Sequence, residues 1–532
     1  MNKQLRDYVR TALADGHPES DIRKVLLVHG YKEEDIDQAF NSVTPNTSLV
    51  ILGASLVLGL FFDYLFYDKA LGINFPLYVG LILAGLFFLI YYTQRSLPRQ
   101  VVWPTVPLAF FSLMVFFRAG ELLTFLNIVA SLLLLLLSVE IVFGKNLKDY
   151  FLNTYLAVFV LPFKFLKPFF QTVLDVFTSR RIIRNPKVAS QVIKGVALTV
   201  PALIVFLLLF SSADLIFQKH LSGLLDIGLN AETVFRSILV LAVASLFVGA
   251  YSYIFRSSAE TSSQHQHPRA YTIGRIEASI LLGSIGALFA VFIIIQLAYL
   301  FGGESALVSQ GFTYAEYARR GFFELIVVAL ISFCLLWVVE KYIVKDQGEH
   351  ILLFKLLSGT LIVEVIFIMV SAFMRLSLYE SAYGFTALRL YSNVFIIWLA
   401  VIFLFLLYKI FRNEHENSFT FRVFISIVGF LLFMNILNPD AFIAQRNIEL
   451  FVPQNKLDFV HLSQLSDDAV PVIAKLLDSP EGYLREFAAQ DIRLRSERAA
   501  DSYFSSWQSV NVGRLRATSI LNSELKVLNN NL

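Results

Sequence analysis

The sequence predicts an all-α, polytopic transmembrane helix bundle of about eleven spans, with a small helical head before it and a helical tail after it. Three observations carry that prediction. The 532 residues are 56% hydrophobic and only 16% charged, with mean hydropathy +0.65, whereas a soluble domain has about 25% charged residues. The apolar excess, which includes 51 Phe, falls in repeated runs of about 18 to 23 residues, the length that crosses a bilayer core. Lysine and arginine concentrate in connections that alternate along the chain, the pattern of loops retained in the cytoplasm. A net charge of +3 is too small to argue for nucleic acid. The expected partner is the lipid bilayer.

Residues 1–47 read as a cytosolic head and linker. Gly16-His17-Pro18-Glu19 and Gly30-Tyr31-Lys32-Glu33 each place a helix-ending Gly before acidic residues that favour the next helix N-terminus. Leu5, Val9 and Leu13 suit a first helix, Ile22, Val25 and Leu26 a second, Ile36 and Phe40 a third. No cleavable leader is visible, so the first span is expected to direct insertion. Residues 48–437 form the bundle. Its expected spans are Ser48–Phe66, Phe75–Tyr92, Val102–Phe117, Leu122–Phe143, Gly195–Phe217, Val234–Phe255, Ala278–Phe301, Phe322–Val344, Leu352–Phe373, Leu390–Tyr408 and Phe419–Leu437. Residues 150–177 are also apolar, but Lys164 and Lys167 interrupt them beside Pro162 and Pro168. Two lysines at the bilayer centre are costly, so this piece is expected to be interfacial or re-entrant. Residues 438–532 form a tail of soluble character, with helical patterns at Ala469–Leu477, Tyr483–Ala499 and Asn511–Leu521.

Sidedness follows from charge. The 144–194 connection carries Lys145, Lys148, Lys164, Lys167, Arg180, Arg181, Arg184, Lys187 and Lys194, which marks it as cytoplasmic. Alternation from there puts the N-terminus in the cytoplasm. An odd number of spans then puts the tail outside, in a multi-pass cell-membrane protein.

Three polar clusters fall on the outer side in this register. The first holds Tyr314, Glu316, Tyr317, Arg319, Arg320 and Glu324, in which Glu316, Arg320 and Glu324 share one helix face. The second runs from Met374 to Tyr391 and packs Arg375, Tyr379, Glu380, Tyr383, Gly384, Arg389 and Tyr391 between two apolar runs, with a glycine to turn the backbone. The third, Asn438–Asn447, holds Asp440 and Arg446. The arginines have the planar geometry that grips a phosphate or carboxylate; the plain alternative is that they pair with the nearby acids and lock loops together.

These motifs carry a resemblance. GFTYAEYARRGFFEL, LYESAYGFTALRLY, NPDAFIAQRN, LSDDAVPVI and WQSVNVGRLRA resemble a widespread bacterial family of polytopic membrane proteins of unknown function, over about Ile193 to Leu521. The resemblance implies a membrane location and no reaction. The head resembles small ubiquitin-associated-like three-helix modules, which implies a protein partner for residues 1–40.

Glu364 is the most unusual residue, a carboxylate in the middle of a span. Ser371 and Arg375, seven and eleven positions on, lie within roughly 20° of its face, so it heads a polar stripe toward the outer clusters. Gln296 is a candidate partner. Its functional reading is a proton or cation relay, or the floor of a polar pocket; its plain reading is a neutral or paired packing residue. Cys334 is the one cysteine, and His265 and His267 have no further ligand nearby, so neither a disulfide nor a metal site is expected. P-loop, GxSxG, HExxH and dinucleotide patterns are missing from the sequence, so no cofactor is expected and the balance leans against an enzyme. The leading function is a structural or regulatory envelope protein. One alternative is a transporter or flippase using a polar pocket near Glu364. Another is a membrane enzyme acting on a lipid-linked substrate at the outer face, with Glu316, Glu380 and Asp440 as acid or base and Arg320 and Arg389 as anion binders.

Overall fold

The computed structural model describes residues 3–14, 19–33, 47–93, 99–141, 147–179, 231–256, 273–301, 322–343, 349–502 and 506–530, with a few further positions between 17 and 39. Among these the regular structure is helical, apart from one isolated bridge between Ile273 and Ile343. Lipid offers no partner for backbone polar groups, so long apolar segments close their hydrogen bonds internally as helices.

The head is α1 (Lys3–Ala14) and α2 (Glu19–Val28). Leu5, Val9, Ile22, Leu26 and Ile36 make its core. Val25 was expected there and is instead exposed, with Ala12 buried on α1. Gly30 ends α2 at φ +82°, with Tyr31 N–H reaching Leu26 O at 3.1 Å. The side chains of Leu13 and Phe40 lie outside the described residues.

The bundle follows as α3 (Thr47–Phe66), α4 (Asn74–Tyr92), α5 (Val102–Phe117) and α6 (Glu121–Ile141). After the short helices α7 (Leu152–Ala157), α8 (Leu161–Lys164) and α9 (Leu166–Ser179) come α10 (Ala231–Arg256), α11 (Arg275–Phe301), α12 (Phe322–Tyr342), α13 (Glu349–Tyr383), α14 (Ala387–Arg412) and α15 (Glu416–Leu437). Ten runs among the described residues are long and apolar enough to cross a membrane. Nine coincide with expected spans. Val102–Phe117 forms a shorter apolar helix, and Gly195–Phe217 lies outside the described residues.

The tenth run, Thr154–Val173, belongs to the segment expected at the interface. It is broken by a 3-10 turn at Val158–Val160 and by a turn at Phe165. Tyr155 stacks on Phe424 near the start of α15, ring centroids 5.2 Å apart. Phe165 packs on Tyr253, and Thr172 bonds Ser252 at 2.6 Å, both near the end of α10. Lys164 lies 4.0 Å from Glu140, one residue from the end of α6.

Three apolar clusters fill the described bundle. One joins α4, α5 and α6 through residues such as Val79, Phe111 and Leu134. A second joins α3, α4 and α10 through Ile51, Leu58, Leu86 and Ile254. The third joins α11 to α14 through Leu282, Ala329, Leu361, Val365 and Phe403. Helix α15 ties the first to the third, with Met434 in one and Phe419 in the other.

The tail is α16 (Pro439–Phe451), α17 (Phe459–Gln464), α18 (Val470–Ile473), α19 (Gly482–Ser502) and α20 (Val512–Asn530). The pattern at Ala469–Leu477 resolves into short α and 3-10 pieces rather than one helix. The tail packs on the loops at one end of the bundle: Ile73 N–H bonds Val510 O at 2.8 Å, and Ala70 N–H bonds Ser509 Oγ at 3.0 Å.

Candidate functional site

The second motif is mostly helix. α13 runs on to Tyr383, and the turn is confined to Gly384–Thr386. Gly384 sits at φ +78°, the left-handed conformation that ends a helix, with its N–H on Glu380 O at 2.8 Å. Arg389, one turn into α14, donates to Gly384 O at 2.5 Å and Tyr383 O at 3.3 Å, where carbonyls at a helix C-terminus attract a cation. Its guanidinium lies 4.2 Å from the centre of the Tyr379 ring, which packs on Tyr383. Glu380 is buried and accepts from Asn393 at 2.7 Å through Oε2. Arg389 therefore makes carbonyl and ring contacts where an ion pair with an acid was expected. Arg375 is half-buried one turn before Tyr379.

The third motif reaches the same turn. Asn447 on α16 grips Phe385 from both sides, accepting from its N–H at 2.6 Å and donating to its carbonyl at 2.9 Å. Asp440, in the first turn of α16, accepts from Ser466 N–H at 3.2 Å. Arg446 is exposed and pairs with Glu449 at 3.0 Å. Of the first cluster, Tyr314, Glu316, Tyr317, Arg319 and Arg320 lie outside the described residues; Glu324 is placed, exposed near the start of α12.

Residues that the sequence reading gave no role complete this clasp. Asp468 accepts from Ala119 N–H, in the α5–α6 loop, at 2.9 Å. Burial pushes its carboxyl above the usual Asp range, against the pull of Ala119 N–H and Arg118. Asn511 donates to Val115 O at 3.0 Å and Arg118 O at 2.9 Å, satisfying the end of α5. Arg118 reaches Asn435 O at 2.5 Å, and the Asn435 amide pairs with Asn127 on α6 at 2.7 and 2.8 Å. Buried Arg495 holds Asp491 at 2.8 Å and the carbonyls of Ser463 and Leu465. The one available signal was indirect: Asp468 and Asn511 stand inside the quoted motifs, but the partners named here for Asp468 and Asn511 lie hundreds of positions earlier.

Glu364 lies elsewhere, on the wall of an apolar groove of about 890 Å³ between α11, α13 and α14. Its Oε2 is shielded and accepts no hydrogen bond among the described residues. Gln296 Nε2 is likewise unpartnered there, so the two do not meet. The neighbour of Glu364 on α11 is Gly286, whose Cβ position is 3.4 Å from Oε2.

A second polar group marks the opposite end. Lys409 on α14 and Glu340 on α12 pair while almost wholly buried, under the Phe419 ring. Lys341 meets Glu416 at 2.9 Å, and Arg422 meets Glu414. Among the described residues no group of three or more potential ligands could hold a metal, and Cys334 is a free, exposed thiol.

A family model described as Domain of unknown function (DUF4153) matches residues 105–476, well over half the chain. The match begins earlier and ends earlier than the motif resemblance, so the WQSVNVGRLRA segment and the head lie outside it. No curated protein and no solved structure matches.

Proposed function

We propose, for a chain that belongs to the DUF4153 family of multi-pass membrane proteins of unknown activity, a structural or regulatory role in the envelope. In this reading the tail is a rigid cap clasped over one end of the bundle, and the head offers a protein-binding face at the other. The observation that carries it is the consumption of motif polar groups by the clasp. Asp468, Asn511, Asn447 and Arg389 all bond backbone groups of neighbouring elements, and Arg495, outside the motifs, adds backbone carbonyls to its pair with Asp491. Hydrogen bonds of this kind build rigidity and occupy the groups that make them, while Glu380 Oε1, Asn393 Oδ1 and Ser466 Oγ stay buried without a partner among the described residues. Glu380 and Asp440, the described acid–base candidates of the enzyme alternative, each have one carboxylate oxygen engaged, by Asn393 and Ser466.

The orientation in this reading keeps the head in the cytoplasm and the tail outside. Its support is that Lys148, Lys164, Lys341, Lys355 and Lys409 all sit toward the end away from the tail. Residues 150–177 then lie along the cytoplasmic face, where Lys164 reaches the headgroup layer.

Crosslinking and capture from membranes tests the role, using the full chain, a chain lacking residues 1–40, and Asp468→Ala. Loss of particular partners from each altered chain is expected. Identical partner sets from all three would remove a role for either soluble part. A transport or flipping reading has one observation behind it, the Glu364 Oε2 that accepts no hydrogen bond among the described residues, beside the groove. Under that reading Glu364→Gln abolishes substrate movement while the protein still folds; full movement in that variant dismisses it.

A further inference from the structure

The Glu364 groove has dimensions and a depth that narrow what it takes. Its volume, about 890 Å³, is in the range that holds a drug-sized molecule. One end lies at the C-terminus of α14, where Lys355 donates to Phe411 O at 3.0 Å and the Phe411 ring lies against Gly359. From Lys355 to Glu364 is nine residues, about 13 Å of helix rise, close to half of a hydrocarbon layer about 30 Å thick. The groove therefore runs from the helix ends away from the tail to roughly mid-depth. Its lining is aliphatic and aromatic except for Thr360, Tyr408 and Glu364.

An acyl chain lying in such a groove puts its methyl end at the carboxylate and offers it no donor. A carboxylate in hydrocarbon is costly unless it is neutralised or paired. The complementary occupant has an apolar body and a single protonated amine at its buried end. Its N–H groups supply the donor that Glu364 Oε2 lacks among the described residues, in a charge-assisted bond. Phe367, less than one turn from Glu364 on α13, supplies a lining side chain of the type that attracts cations.

We propose that the groove between α11, α13 and α14 binds a lipophilic amine, with the amine seated on Glu364. The site uses the same carboxylate as the transport reading but concerns binding alone: binding without movement keeps the site and removes only that reading.

The test places the full chain in phosphatidylcholine vesicles with a benzophenone-bearing alkylamine or the alcohol of equal chain length. Photolabelled peptides are then mapped. The amine is expected to label residues 290–294 and 404–411 about tenfold more than the alcohol, the scale of one charge-assisted bond. Glu364→Gln should bring the amine down to the level of the alcohol, whose unchanged labelling reports an intact groove. Equal labelling by the two probes in the native chain overturns the proposal, as does an amine preference that survives Glu364→Gln. If that variant fails to fold, competition in the native chain decides: dodecylamine should displace the amine label and dodecanol should not, and displacement by neither or by both equally overturns it.

Discussion

Gly384 turns the chain between α13 and α14, and its surroundings leave no room for a side chain. At φ +78° an added Cβ would stand 2.8 Å from Asn447 Oδ1. Gly384→Ala is expected to cost about 1–3 kcal/mol and to loosen α16, read as a lower melting temperature in detergent and faster proteolysis within 439–464. Asp468 makes a second residue-scale prediction. Burial raises its folded-state pKa above the unfolded one, so the docked tail binds the proton more tightly. The docked state is then most stable on the acid side and loses that contribution as pH rises from the ordinary Asp range through the raised folded value. Asp468→Asn, which stays neutral and still accepts from Ala119, should abolish this pH dependence of tail protection. Asp468→Ala should instead remove the acceptor of the part-buried Ala119 N–H and cost about 1 kcal/mol.

At the scale of elements, the pair across α12 and α14 is a charge couple almost wholly buried. Lys409→Met alone takes the buried cation from Glu340 and is expected to cost about 3–5 kcal/mol, while Lys409→Met with Glu340→Met recovers most of it. Thermal unfolding of the three variants in one detergent measures this. The spans themselves were legible because lipid imposes length and apolarity on each of them locally. The end of α13 was not: Met374–Tyr383 is dense in polar residues and reads as a loop, yet the helix continues beneath α16. The broken run Thr154–Val173 was legible as unusual from its lysines and prolines. The tail contacts were not, since nothing near Asp468 or Asn511 in sequence announces the α5–α6 loop as their partner. The family match, which gives no activity, adds nothing to that gap.

For the whole molecule, sidedness decides what each cluster faces. The bundle puts the tail, the Gly384 turn and the α3–α4 and α5–α6 loops at one end, and the lysine pairs at the other. With Cys334 replaced by serine, single cysteines at Ser381 and Ser463 should react with an impermeant maleimide in intact cells, and one at Ser418 only after lysis. The reverse pattern would turn the molecule over in the membrane and move the cap to the cytoplasm. It would leave the internal clasp unchanged, because that depends on contacts within the chain.

The bonds from Ser509, Val510 and Asn511 to Ala70, Ile73 and Val115 also impose an order of events during biogenesis. The helix hairpins that open the chain are threaded into the bilayer long before the segment that fastens them has been translated. Until then their exposed turns wait with unsatisfied amides, open to chaperones and to membrane proteases. A ribosome that terminates early, even a few dozen codons short, releases a protein with every crossing inserted and its latch missing, and such products should be cleared far faster than their hydrophobic content alone would dictate.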